Sequence, residues 1–317
     1  MSFRSVLETM DVLDAPVTGA AVAAWLGSRG IDANTHTVTD QRGTTDFVWL
    51  TIAGKAGRSA GGAAPTTGIV GRLGGIGARP EQVGLVSDGD GAVAALACAI
   101  KLAAMAERGD VLEGDVVIAT HICPSAPTVP HDPVPFMDSP VSMETMNRLE
   151  VRPEMDVVLS VDTTKGNRVV NHKGIALTPT VLQGYLLPVA DDLLDICGTV
   201  TGQPPVVLPL SSYDITPYGN GLPHVNSILQ PATATDKPVV GVAITAVTAV
   251  PGSATGASHP SDITMAVAFC LETAKAFGAG RARFYDDAHF AAAQRMYGSM
   301  AHLQCAPALA CSGGNPS

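Results

Sequence analysis

Short hydrophobic runs of strand length, alternating with longer helix-like segments, constrain this chain more than any other feature. Val83–Val86, Asp115–Thr120, Val157–Val161 and Val239–Val247 are apolar and rich in β-branched residues. From Gly91 to Glu107 the pattern changes, and Val93, Leu96, Ala97, Ile100, Leu102 and Met105 follow a period of 3.6. Near-continuous apolar strands interleaved with helices imply a mostly parallel sheet covered on both faces. The fold class read from this pattern is α/β, with a mixed, mostly parallel central sheet and helices on both faces. One domain is expected over residues 1–303, with a flexible tail over 304–317.

Local signals fill in the rest. Ser5–Asp14 and Gly19–Arg29 read as helices, and Thr35–Asp40 and Thr45–Ala53 as a hairpin around Gln41-Arg42-Gly43. Thr67–Leu73 and Val206–Leu210 read as further strands, and Arg168–Leu187 as two strands near a Gly-Tyr turn. Met143–Leu149, Ala190–Thr201, Ile263–Phe277 and a segment opened by Asp286-Asp287 read as helices. The Pro-rich stretch Pro124–Pro140 is incompatible with a helix or a central strand, so it is read as an ordered loop or lid.

Composition narrows the function classes. Aromatic residues are only 4% of 317, so the core must be built from Ala, Val, Leu and Ile. A net charge of -10 repels phosphate backbones and argues against nucleic acid as a partner. Charged residues amount to 15%, low for a monomer surface, which points to a homo-oligomer. The start Met-Ser-Phe-Arg-Ser-Val lacks a signal-peptide run, and the apolar stretch Pro238–Val250 is too short to span a bilayer. The expectation is a cytoplasmic protein with no membrane partner. Six cysteines without CxxC pairing fit that compartment.

The chemistry-bearing residues sit where the strands end. Asp88-Gly89-Asp90-Gly91 precedes the Ala/Leu-rich helix, at the sheet edge where α/β proteins bind ligands. Helix capping is the alternative, but capping needs one carboxylate rather than two. His121 closes another apolar strand, with Cys123 two residues on. Cys123 is a soft ligand, a nucleophile or a small core residue. Asp162 ends the run Asp-Val-Val-Leu-Ser-Val-Asp, where a charge must be solvated, paired or metal-bound. His259 ends a Gly- and Ser-rich segment, and its alternative is a solvent-loop histidine. Asp214 and His224 flank Tyr218-Gly219-Asn220-Gly221, where they line a substrate pocket or make turns. Dinucleotide, phosphate-loop, nucleophile-elbow and His-Glu-x-x-His motifs are all missing from the chain.

In the order of these pieces the chain resembles the co-catalytic di-zinc aminopeptidases, especially the glutamyl-aminopeptidase and tetrahedral-aminopeptidase group. The resemblance spans roughly Thr35–Phe277 and is specific around Asp88–Leu96, Asp162 and His259. It implies a zinc-exopeptidase-like three-layer sandwich. It also implies Asp90, Asp162 and His259 as metal ligands, with His121, which stands where that family carries acidic residues, as the fourth expected ligand and zinc, manganese or cobalt as the divalent ion. The Glu-Glu pair of that family is absent, and Thr120-His121-Ile122-Cys123 stands in its place, so Asp88 is the nearest candidate for the general base. The chain is also similar to an uncharacterised bacterial and archaeal family of this length.

Three functions are therefore expected in competition. The first is a metal-dependent hydrolase of a small amide or short peptide. The second is a metal-free isomerase or amidase with Cys123 as nucleophile and His121 or His131 as base. The third is an inactive peptidase-fold protein, without a cofactor, that binds a small ligand or supports an assembly.

Overall fold

The computed structural model describes residues 2–72, 74–78 and 84–305, with only the backbone of Phe136. In chain order its elements are α1 (Ser2–Leu13), α2 (Gly19–Gly27), β1 (Ala33–Asp40), β2 (Gly43–Ile52), β3 (Thr67–Gly71), α3 (Asp90–Ala106) and β4 (Val116–Ile122). β5 (Thr128–Val129), β6 (Phe136–Met137), α4 (Met143–Glu150), β7 (Val157–Lys165), β8 (Gly174–Leu177), β9 (Thr180–Leu182) and β10 (Tyr185–Leu187) follow. The last are α5 (Asp191–Thr201), β11 (Val239–Ala246), α6 (Pro260–Gly278) and α7 (Asp287–Tyr297).

A nine-stranded mixed sheet runs β1-β2-β4-β3-β7-β11-β9-β10, with β8 also on β11. The four central strands are parallel: β4 with β3, β3 with β7, and β7 with β11. The hairpin β1–β2 and the short strands β8–β10 form antiparallel wings. Alternation along the strands sorts their side chains into two cores. Val240, Val242 and Ile244 pack with the helical layer of α1, α2, α3, α5 and α6. Val239 and Ala243 face the opposite core, which includes Ile215, Ile228, Leu229 and Ala232. Helix α4 and two 3-10 turns, Ser212–Ile215 and Gln230–Ala234, lie on that second side. The α/β class and the layered sheet expected from the sequence are thus the architecture.

Helix α3 is apolar all round because it is enclosed all round; Ala92–Ile100 and Leu102 are buried. By length and composition Ser87–Ala106 could cross a membrane, yet 72% of that apolar window is buried inside the protein, so its apolarity answers to the core. At its start, a Cβ on Gly91 would collide with the backbone oxygens of Arg72 and Val161. Only glycine lets α3 begin so close to the ends of β3 and β7, which draws Asp88 and Asp90 against the sheet edge.

Several expected elements take another form. Gly84 and Leu85 are a bend and Val86 makes a single bridge to Thr255, so the strand expected at Val83–Val86 is not formed; Val83 lies outside the described residues. Val206–Leu210 contributes one bridge, Val207 to Leu177, instead of a strand. The two strands expected in Arg168–Leu187 are three, turned at Gln183-Gly184, both with positive φ. The Pro-rich loop carries the small β5–β6 ribbon. Of the expected tail, 306–317 lies outside the described residues, while Gln304 is buried and donates from Nε2 to the Ala232 carbonyl.

Candidate active site

The parallel strands deliver a dense set of charges to their C-terminal edge. β3 is followed by Arg72, β4 carries His121, and β7 carries Asp162, Thr164 and Lys165. All are buried, as are Asp88, Asp90 and Glu150 at the end of α4. Buried charge requires partners, and the partners divide into two groups.

Around Glu150 the first group is closed. Arg72 Nη1 donates to Glu150 Oε2. His121 Nδ1 lies 2.5 Å from Glu150 Oε1, and His121 Nε2 accepts from the Gly74 N–H at 3.0 Å. Because Nε2 accepts, the ring proton sits on Nδ1 and is given to Glu150. Burial alone would raise the Glu150 pKa, but Arg72 and His121 outweigh it and hold the carboxyl below its usual range.

The second group reaches open space through Asp88 and Lys165. Lys165 Nζ lies 2.5 Å from Asp90 Oδ2 and also donates to the Ala257 carbonyl. Asp162 accepts from Ser227 Oγ at 3.0 Å and from its neighbour Thr163 N–H at 2.7 Å. Asp88 Oδ2 accepts from the Met137 N–H at 3.3 Å. Burial, then the Asp162 carboxylate, pushes the Asp88 pKa up to about 7. Burial likewise raises Asp162 to about 6, against the pull of Arg72, Ser227 and the Thr163 N–H. Asp90 is raised as well, by burial, with Lys165 opposing. Neither Asp88 nor Asp90 caps α3; Gly89 holds that position with no side-chain bond.

Asp88 and Lys165 lie on the wall of a cavity of about 600 Å³. Thr163 and Thr164 from β7, the Pro133-Val134-Pro135 turn and the 218–227 segment complete much of its lining. The 218–227 wall is held from behind. Asp214, in a capping box with Ser211, accepts from the Val225 N–H, and Gln230 binds both the Tyr218 N–H and the Thr216 carbonyl. Gly252 backs onto Asp88, and a Cβ there would overlap its carboxyl. We expect Gly252→Ala to displace that side chain and cost about 1–3 kcal/mol by overpacking, read as a lowered midpoint in chemical denaturation together with a lost cavity function.

The residues singled out from the sequence fare unequally. Asp88, Asp90 and Asp162 do come together. His224 lines the cavity, its ring tilted against that of Tyr218 at 4.6 Å, whereas Asp214 works behind the wall. Cys123 is buried with Ala78, Val86, Ala126 and Met137, its thiol 3.8 Å from the Thr44 carbonyl, and does not line the cavity. His259 is exposed at the N-terminus of α6, within electrostatic reach of Asp90. The metal set Asp90, His121, Asp162 and His259 is not assembled. Among the described residues no group of three or more His, Cys, Asp or Glu could hold a metal ion. The physical reason is prior engagement: both nitrogens of His121 are bonded, Asp90 has Lys165, and Asp162 has Ser227 and Thr163. The arrangement does not fit the expected zinc, manganese or cobalt. Arg72, Glu150 and Lys165 escape a reading of the sequence, although Arg72 and Lys165 carry the same signal as Asp162, a charge closing an apolar strand.

Against known proteins, a family model described as a protein of unknown function (DUF1177) matches residues 36–307. No curated protein matches the chain.

Proposed function

This chain belongs to the DUF1177 family, and for it we propose hydrolysis of a small amide or short peptide by acid–base catalysis, with Asp88 moving the proton. One observation carries the reading: a buried carboxyl whose proton affinity is near neutrality faces a cavity of about 600 Å³ at the C-terminal sheet edge. A group with such a pKa works in both directions at neutral pH. As carboxylate it takes a proton from water attacking the carbonyl; as acid it returns that proton to the leaving amine. The products are a carboxylic acid and an amine. The Lys165 ammonium and the Thr164 hydroxyl, which has no partner among the described residues, are the donors available to the oxygen that gains negative charge. The cavity has the volume of a small-molecule site.

A binding role without turnover is the second reading. It is favoured by the commitment of His121 and Lys165 to internal partners. A panel of dipeptides, aminoacyl amides and N-acyl amino acids, followed by mass spectrometry, separates the two. Release of an amine product supports hydrolysis; a thermal shift with no product supports binding alone. Cys123→Ser is expected to keep full turnover, since its thiol does not reach the cavity. Lost turnover with a normal melting curve would restore the cysteine-nucleophile mechanism.

A further inference from the structure

Asp88, Asp90 and Asp162 are buried at the start of α3 and the end of β7, with Asp90 and Asp162 both within electrostatic reach of Asp88. Carboxylates gathered this way in a water-poor place call for a cation. The cation on hand belongs to the chain. Lys165 closes β7, its side chain is 2% exposed, and its ammonium is paired with Asp90 while the residue lines the cavity.

We propose that Lys165 is the resident cation of this site, polarising a bound carbonyl as a divalent metal would and keeping such metals out. That the polarised group is a carbonyl rests on the hydrolytic reading; the exclusion of a divalent ion does not. Two independent observations support the assignment. Lys165 Nζ meets two acceptors within the protein, Asp90 Oδ2 and the Ala257 carbonyl, which leaves the third ammonium hydrogen for a ligand. The nearby imidazole that a metal would recruit is also occupied within the protein, since His121 is held by Glu150 and Gly74. The chemistry follows from the charge. A divalent ion acidifies its bound water, whereas an ammonium stabilises the oxyanion but leaves the water proton to be taken by a base. Asp88 is positioned on the same wall for that task. Removing the ammonium would leave Asp90 without its paired charge and within electrostatic reach of Asp88, two carboxylates whose oxygens hard divalent ions favour.

The test uses the full-length protein, titrated with manganese chloride and with zinc chloride by calorimetry, and with manganese by electron paramagnetic resonance. Wild type is expected to take up neither ion stoichiometrically. Lys165→Met is expected to bind one, at least about tenfold more tightly than wild type, because the like charge is gone. Lys165→Arg, which keeps the charge, is expected to behave as wild type. Circular dichroism checks folding, and Lys165→Gln replaces the methionine variant if that variant unfolds. One equivalent of zinc or manganese in wild type overturns the proposal, and so does a folded Lys165→Met protein that gains no affinity. An empty substrate panel combined with the expected ion pattern would reject hydrolysis while leaving the cation assignment intact.

Discussion

Replacing Glu150 with alanine is expected to lower the free energy of unfolding by about 3–5 kcal/mol. The side chains of Arg72 and Glu150 are fully buried and that of His121 is 3% exposed. Deleting the carboxylate leaves the guanidinium without its hydrogen-bonded counter-ion, with only the charge of Asp162 in electrostatic reach, and the His121 Nδ1–H loses its acceptor. The native pair need not stabilise the fold much over an apolar substitute; the damage comes from the orphaned charge. A double replacement, Arg72→Met with Glu150→Leu, is therefore expected to recover much of the loss. The pH dependence has a definite sign. The folded Glu150 pKa lies below its ordinary value of 4.5. Its contribution is present above that ordinary value and is lost as pH falls through the lowered one. Urea denaturation at pH 7 and at pH 3 reads both effects. A loss under about 1 kcal/mol at pH 7 would mean that water reaches Arg72.

Asp88→Asn is expected to reduce turnover by a factor of about 10²–10⁴, the usual share of a general acid–base group, while making the protein more stable in mild alkali. The two effects have one origin. The folded Asp88 pKa, about 7, stands above its ordinary value of 3.8. A raised carboxyl holds a proton that the unfolded chain has released, so its stabilising contribution is lost as pH climbs from near 4 through 7. At roughly 1.4 kcal/mol for each tenfold change in proton affinity, the ionised side chain weakens the fold at pH 8 by a few kcal/mol. Asparagine removes that cost, and below about pH 4, where the folded and the unfolded chain both hold the Asp88 proton, the variant and the parent should melt alike. Paired melting curves at the two pH values, with turnover beside them, make the check. Equal stability at pH 8 would show that Asp88 ionises without strain, and the proton-transfer role would lose its footing.

The legible part of the chain is the part governed by burial periodicity. The parallel strands around Ile118, Leu159 and Val242 and the Ala-rich helix after Asp90 follow from apolar pattern alone, because a layer enclosed on both faces leaves no polar option. Asp88, Asp90 and Asp162 are visible for the complementary reason, as charges at the ends of apolar runs. Their partners are hidden by distance in sequence. Arg72 and Glu150 are 78 residues apart, and spacing cannot reveal that His121 spends both nitrogens within the protein. A metal reading follows from seeing the anions without the cations. Val206–Leu210 imitates a strand because its apolar side chains serve a loop pressed on the sheet: Leu208 is buried there in the second core.

The wall over the cavity is fixed by hydrogen bonds to the Val225 and Tyr218 N–H groups, from Asp214 and Gln230, both fully buried. In kinetic terms, a ligand arriving at this face meets a surface already shaped. Little ordering of this wall is left for the encounter, so its association is governed by diffusion and by shedding water rather than by closure of this segment. Selectivity among small molecules would then reside in how fast they leave, a quantity set by the fit against Tyr218 and His224 and open to adjustment one side chain at a time.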